Sequence, residues 1–248
     1  MINYLDNVLF TTAFVLSISL FTYNFKRILS NIRLGRDENR SDNPRLRLNN
    51  MLRVAFGQSK MIRRPIAGIL HLIVYVGFII INIELLEIII DGIFGSHRIF
   101  SSFFPKFYNF IIGSFEVLAL LVLISVIIFW ARRNILKIKR FFKEEMKGWP
   151  KLDADLILYF EIILMTLFLT MNGADYTIQL NYPENDIYVR AGSYPISQFL
   201  VPILEELSLA KLILLERFSW WFHILGIFIF LNYLYYSKHL HILLAFPN

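Results

Sequence analysis

Histidine is the residue type in this sequence best suited to redox chemistry. His223 and His241 lie eighteen positions apart in the last apolar stretch, residues 218–242. On one continuous α-helix this spacing is five whole turns, so both imidazoles would project from one face, about 27 Å apart along the axis. That distance is close to the thickness of a bilayer core. The spacing fits a haem ligand at each membrane border, and it leaves open the alternative of ordinary polar residues at the interface.

His71 provides a partner for the histidines at the end of the chain. It lies near the start of an earlier apolar stretch, and antiparallel helices would bring it to the depth of His241, so the two are candidate ligands of a low-spin b haem. His239 is the rival, but a two-residue step turns it about 160° around the helix from His241. Register with His223 therefore favours His241 as the ligand.

A second haem would need a partner for His223. The remaining histidine, His97, follows His71 by twenty-six residues, which is about 39 Å on a continuous helix and beyond the bilayer. Glycines at 92 and 95 could break the helix and fold His97 back towards His223. Without that fold, His223 is expected to be a hydrogen-bond partner of a quinone.

Carboxylates inside the apolar stretches form the other candidate site. Glu84, Glu87 and Asp91 follow i, i+3, i+7 spacing and share one helical face, and Glu116 lies in the same half of the next stretch. Ionisable groups within membrane spans are costly and mark functional sites by default. We expect Glu84, Glu87 and Glu116 to line a quinone site, where a carboxylate takes a proton from quinol. The alternative is a purely structural role, either hydrogen bonding between helices or pairing with Arg217.

Composition places the chain among integral membrane proteins. Its 248 residues are 56% hydrophobic and 18% charged, and the apolar runs are long enough to span a bilayer. The sequence has no cysteine, which excludes thiolate-held iron-sulfur clusters, zinc-thiolate sites and covalent haem attachment within it. A redox centre would therefore depend on histidine. The net charge of +6 is explained by basic membrane-border loops, and we infer no nucleic-acid partner from it.

The elements that must position these residues are five membrane helices. We predict an all-α bundle, one membrane domain over residues 1–248, with spans at about 8–23, 65–91, 109–130, 154–171 and 214–236. Lysine and arginine concentrate in the loops 24–64 and 131–153, which are therefore expected in the cytoplasm. The N-terminus is then outside and the C-terminus cytoplasmic. Glu161, alone in the fourth span, has no assigned role.

Several stretches resemble a known family of membrane cytochromes. Leu-His-Leu-Ile around His71, the spacing from His223 to His241, and Tyr-Ser-Lys-His-Leu-His at the end of the last span resemble respiratory nitrate reductase gamma subunits. The stretches 51–65 and 145–150 are closer to the membrane domain of heterodisulfide-reductase-like iron-sulfur oxidoreductases, especially those of Bacteroidetes. This resemblance covers nearly the whole chain.

The resemblance implies a b-type haem between spans two and five, and electron transfer between membrane quinone and a cytoplasmic iron-sulfur partner in the bacterial inner membrane. It implies His71 and His241 as ligands of the inner haem and His223 as a ligand of an outer one. The family's second histidine on span two falls at Ile81, so one haem is expected and a second is in doubt. Similar proteins often carry an iron-sulfur domain after such a stretch.

Three classes of function thus remain. The first is a cytochrome b that transfers electrons to or from quinone. The second is a proton-coupled transporter, although the sequence has no internal repeat or broken midplane helix of the kind transporters show. The third is a haem-free membrane anchor for an oxidoreductase complex, which would not need histidines in register on two spans.

Overall fold

The computed structural model describes residues 4–36 and 42–245. Residues 37–41 of the predicted basic loop 24–64, and both ends of the predicted domain 1–248, lie outside the described residues. Within the described residues the regular structure is helical. Nine α-helices are defined by these bounds: α1 Tyr4–Arg33, α2 Pro44–Met51, α3 Pro65–Phe94, α4 Ile99–Phe103, α5 Tyr108–Asn134, α6 Trp149–Asn181, α7 Val201–Leu204, α8 Leu209–Tyr233 and α9 His241–Leu244.

Five of these helices, α1, α3, α5, α6 and α8, are long and apolar enough to cross a membrane. The described chain therefore has the architecture of a multi-pass membrane protein, and the five predicted spans are confirmed as helices of membrane length. α1, α3, α5 and α6 extend beyond their predicted spans, whereas α8 begins before its predicted span and ends at Tyr233, short of position 236. α6 extends furthest, because its polar ends continue the helix past the apolar core. Many apolar side chains are exposed on the outer faces of these helices, as expected for surfaces that contact lipid.

The five long helices form a ring. α6 packs against α8 and α5, α5 packs against α3, and α1 contacts both α3 and α8. α1 and α3 run antiparallel, since the start of α1 hydrogen-bonds the end of α3 through Asn7 and the carbonyls of Gly92 and Ile93. In this ring α3, which carries His71, and α8, which carries His223, flank α1.

Two glycines set the close packing around α1 and α8. A Cβ on Gly92 would lie 2.7 Å from the ring of Phe10, and one on Gly226 would lie 2.7 Å from Leu164. Small residues allow helix backbones to approach closely in a membrane, where packing rather than the hydrophobic effect drives association. Asn232 adds a polar tie between α8 and α1, because its amide donates to the hydroxyl and carbonyl oxygens of Ser17.

Candidate functional site

Polar side chains gather at the two ends of the bundle. We call one end the basic end, where α1, α5 and α8 finish and the basic loops lie. The other is the acidic end, where α3 and α6 finish. The carboxylates of the candidate quinone site lie at the acidic end, and His71, His239 and His241 lie at the basic end.

The loop after α3 folds back into the acidic end. α3 stops at Gly95, which has a left-handed φ of 71°, as is common where helices end. Asp91 then accepts hydrogen bonds from the Ser96 hydroxyl and from the backbone N–H groups of Arg98 and Ile99. Arg98 itself adopts φ 55°, an uncommon conformation for a residue other than glycine. These contacts turn the Arg98 side chain inward.

Arg98 is the buried cation of the acidic end. Its Nε donates to Asp175 at 2.9 Å, one Nη to Asn172 at 2.7 Å and the other Nη to Glu84 at 3.3 Å. The guanidinium carbon lies 5.4 Å from the centre of the Tyr194 ring. The side chain is 8% exposed, so the guanidinium joins α3 to α6 in the interior of the protein.

Glu84 and Glu87 face a cavity of about 510 Å³ between α1, α3 and α8. Glu87 accepts hydrogen bonds from the Tyr108 hydroxyl at 2.9 Å and from the Phe100 N–H at 2.8 Å. Glu84 is 2% exposed, and its Oε2 has no hydrogen-bond partner. A buried polar atom without a partner is rare and calls for an explanation.

Glu116 does not line this cavity, in contrast to the expectation from its sequence position. It is fully buried and accepts hydrogen bonds from the N–H groups of Ile196 and Ser197, at 2.9 and 3.0 Å, and from the Ser197 hydroxyl and the Asn172 amide. These partners belong to the segment that follows α6 and to α6 itself. Glu116 therefore anchors that segment to α5, a structural role.

The far wall of the cavity is built from α8 and the segment after α6. Arg217 pairs with its neighbour Glu216 at 2.5 Å, so it does not pair with Glu84 or Glu87. The hydrogen bond from Tyr108 of α5 to Glu87 of α3 fits the other structural alternative, hydrogen bonding between helices. The Tyr188 hydroxyl donates to Glu216 at 2.8 Å, and burial raises the pKa of Tyr188, which keeps that hydroxyl protonated.

The structure does not bring His97 and His223 together. His97 lies at the cavity, with Nε2 3.5 Å from Asp175. The buried His223 hydrogen-bonds the carbonyl of Leu164 through Nδ1 at 2.9 Å. Asp175 and Leu164 are eleven residues apart on α6, which is about 16 Å along the helix. The loop folds His97 back as envisaged, but to Asp175 and not to His223, and His223 does not line the cavity.

The three remaining histidines meet at the basic end. The ring centres of His239 and His241 are 5.8 Å apart, and His71 lies near both of them. Burial lowers the pKa of His239 to about 4, and the nearby His241 and His71 contribute to the same shift. The pairing of His71 with His241 as haem ligands stays a prediction.

The preference for His241 over His239 assumed that His223 and His241 lie on one continuous helix, and this assumption is wrong. α8 ends at Tyr233, and the chain becomes extended at Ser237 before a short turn at 238–240, so His223 and His241 do not share a continuous helix. The buried Asp153 of α6 causes the change of direction. It accepts hydrogen bonds from the Tyr233 hydroxyl at 2.6 Å and from the Lys238 N–H at 3.0 Å.

Two histidine side chains at the basic end are candidates for ligands of a haem. Nδ1 of His71 is buried without a partner, and Nδ1 of His241 lies 2.7 Å from the Lys238 carbonyl, the outer contact that orients a ligating imidazole. Among the described residues no group of three or more His, Cys, Asp or Glu side chains is arranged to hold a metal ion. A haem iron needs only two protein ligands, because the porphyrin supplies four.

Sequence reasoning missed several residues that organise the two ends. Arg98, Asn172 and Tyr108 hold the carboxylates, and Asp153 holds the segment that carries His239 and His241. The residues that flank them in the sequence gave little indication of these roles. An arginine three residues after the helix-ending Gly95 could have been matched with the excess of carboxylates on α3, since buried charges require partners.

The fold and the site define a helical, multi-pass membrane protein with an acidic cavity at one end and a histidine cluster at the other. No protein-family model and no solved structure matches the chain. The chain is 28% identical over 242 residues to the probable iron-sulfur-binding oxidoreductase FadF of Bacillus subtilis, and 25% identical over 240 residues to the EtfAB:quinone oxidoreductase of Syntrophomonas wolfei.

These alignments cover 97% and 94% of the chain, and 32% of each relative. The chain thus spans about a third of the length of the curated relatives it matches. Both relatives are named as oxidoreductases, which agrees with the iron-sulfur oxidoreductase part of the resemblance seen in the sequence. Neither name refers to nitrate reductase or to haem.

Proposed function

We propose that this chain is the membrane part of an oxidoreductase that passes electrons between a membrane quinone and an iron-sulfur partner. The observation that carries the proposal is the cavity of about 510 Å³ lined by Glu84 and Glu87, together with similarity to a quinone oxidoreductase across 94% of the chain. Its volume lies within the range of small-molecule sites, roughly 300–1,000 Å³. The head group of a quinone is an occupant of suitable size and chemistry.

The carboxylates supply the proton chemistry that a quinone requires. Oxidation of a quinol to a quinone releases two protons and two electrons. The free Oε2 of Glu84 takes one proton and Glu87 takes the other, while the electrons pass towards the iron-sulfur partner. In quinone reduction the same carboxylates return the protons. Glu116, occupied by the segment after α6, takes no part.

A single b haem at the basic end is the proposed redox group, with His71 and His241 as its ligands. When bound, it would accept and donate single electrons between the quinone and the partner. His71 offers a buried ring nitrogen without a hydrogen-bond partner. The Lys238 carbonyl orients His241. We retain His241 over His239 because the His239 ring packs on Phe230.

The partner is proposed to dock at the basic end. The loops there carry most of the lysine and arginine residues of the chain, so this end is expected on the cytoplasmic side of a bacterial inner membrane. One relative is named as iron-sulfur-binding, and this sequence has no cysteine. An iron-sulfur cluster would therefore be held by another domain or another protein.

The first experiment tests the quinone site. In the full-length protein, Glu84→Gln and Glu87→Gln are expected to slow electron transfer from quinol by about 100-fold, the lower limit for loss of a general base. Asp42→Asn, a carboxylate at the basic end that is paired with Arg47, serves as the control. Unchanged rates in both glutamine variants would reduce these carboxylates to structural roles.

The second experiment tests the haem. A reduced-minus-oxidised absorption spectrum of the purified protein should show a b-type haem, which a haem-free anchor lacks. His71→Ala and His241→Ala should each abolish it, while His239→Ala should retain it. Loss of haem in His239→Ala and retention in His241→Ala would reverse the assignment.

A further inference from the structure

Of the three glutamates that line the cavity in the described part of the chain, Glu84 alone has a buried oxygen without a hydrogen-bond partner. Glu87 is held by Tyr108 and the Phe100 N–H. Glu216 is held on both oxygens by Arg217. Glu84 is held on Oε1 by Arg98 and has no partner on Oε2.

We infer that Arg98 is a positioning residue for Glu84. Arg98 holds Oε1 of Glu84, so that Oε2 stays directed at a quinone oxygen. The inference rests on the proposed function and adds a residue that sequence reasoning did not single out. Arg98 does not itself accept the proton. The proton that leaves the quinol oxygen bonds to Oε2 of Glu84, and the electrons go to the iron-sulfur partner.

The position of Arg98 is fixed from both of its ends. Its backbone is held in the left-handed conformation by Asp91, which accepts the N–H groups of Arg98 and Ile99. Its guanidinium is held by Asp175 and Asn172 of α6 and lies over Tyr194. These contacts fix the orientation of the guanidinium. They therefore also fix the position of Glu84, whose Oε1 lies 3.3 Å from the remaining Nη.

The planar shape of the guanidinium is what the arrangement requires. Three acceptors, on Asp175, Asn172 and Glu84, lie around one side chain and are met by three different nitrogens. A lysine keeps the positive charge but offers a single nitrogen at the end of a flexible chain. It can neutralise Asp175, but it cannot hold Glu84 and Asn172 at the same time. Arg98→Lys therefore separates position from charge.

Arg133 provides a matched control. It is also a buried arginine, 7% exposed, and its Nε pairs with Asp155 at 2.7 Å while an Nη donates to the Lys151 carbonyl. It lies at the basic end, away from the cavity. Arg133→Lys thus makes the same chemical change in a similar environment, and it reports any general effect of losing a buried guanidinium.

The test uses the full-length protein in lipid nanodiscs with duroquinone and duroquinol as probes and ferricyanide, two per quinol, as the electron acceptor. An infrared difference spectrum on addition of duroquinone should contain a carboxyl band that Glu84→Gln removes. Arg98→Lys should lose the response of this band and slow the single-turnover oxidation of duroquinol by about 100-fold, the typical cost of a misplaced reacting group. Duroquinol KM should change much less than kcat, and Arg133→Lys should keep both the band and the rate.

A second variant serves as the control for a loss of stability. The double change Arg98→Gln with Asp175→Asn removes one buried cation and one buried carboxylate together, so that the net charge of the cluster is unchanged. It should also lose the Glu84 band response. A wild-type band response retained in Arg98→Lys or in the double variant would overturn the positioning role while leaving the quinone site intact. A wild-type protein with no band and no duroquinol oxidation would refute the proposed function, and this inference with it.

Discussion

At Glu116 a mutation can separate a structural role from a role in quinone chemistry more clearly than at the other carboxylates discussed. Glu116 lies in the same half of the neighbouring span as Glu84 and Glu87, which suggests a third carboxylate for the quinone site. In the structure its oxygens are occupied by the segment after α6. We therefore predict that Glu116→Leu destabilises the protein and leaves the chemistry of the folded protein unchanged. Glu84→Gln is predicted to do the reverse.

The magnitude follows from the donors that the change leaves unpaired. Leucine has a similar volume but no acceptor, so the N–H groups of Ile196 and Ser197 and the amide of Asn172 lose their partner. The Ser197 hydroxyl keeps the Leu169 carbonyl. Each buried unpaired donor costs about 1–3 kcal/mol. The free energy of unfolding should thus fall by at least about 3 kcal/mol, which lowers the melting temperature by about 6–12 °C in a protein of this size.

Glutamine at the same position provides the graded control. The oxygen of Glu116→Gln can accept both backbone N–H groups while its amide donates to the Ser197 hydroxyl, so only Asn172 loses a partner and the cost is about 1–3 kcal/mol. The assay is thermal unfolding in detergent, paired with duroquinol oxidation at a temperature where each variant is folded. A Glu116→Leu protein with the wild-type melting temperature and no duroquinol oxidation would refute this reasoning.

Three further predictions concern topology, pH and haem number. Reporter fusions after Lys60 and Lys143 should both lie in the cytoplasm and a fusion at Asn185 outside; a common location for all three would invalidate the span order. Burial lowers the pKa of His239 from 6.5 to about 4, so between these pH values the unfolded chain binds a proton that the folded chain excludes, and stability should fall as pH drops below about 6.5. His239→Gln should flatten that dependence in pH-dependent melting curves. Haem quantification should give one haem per chain, unaffected by His223→Ala, whereas two haems falling to one in this variant would contradict the separation of His97 and His223.

The five membrane helices were predictable because hydropathy is a property of each stretch by itself. Their ends were not. α6 runs from Trp149 to Asn181, well beyond its apolar part, because Asp153 and Asp175 find partners on other helices. A hydropathy pattern treats such residues as the end of a span. The bundle instead uses them as contacts between spans.

The candidate sites were predictable in membership but not in geometry. Helical periodicity correctly put Glu84 and Glu87 on one face, because both lie within a single helix. It failed for Glu116 and for the register of His241, since each depends on a distant contact. Ser197 binds Glu116, and Asp153 redirects the chain after Tyr233. Arg98 was missed for the same reason, because its burial results from the loop that Asp91 folds back.

The separation of the two sites has a consequence for energy conversion. Asp153 beside the histidines and Asp175 beside the cavity are twenty-two residues apart on α6, about 33 Å along the helix. If the cavity oxidises quinol on the outer side and the histidines hold haem on the inner side, protons leave outside while electrons move inward across most of the bilayer. Each electron then moves with or against the membrane potential, at about 2.3 kcal/mol per 100 mV for a full crossing. Since an inside-negative potential opposes inward electron movement, quinol oxidation in sealed vesicles should slow as that potential rises. Because quinone reduction at the same cavity reverses both movements, the sign of this dependence distinguishes the two directions of electron flow.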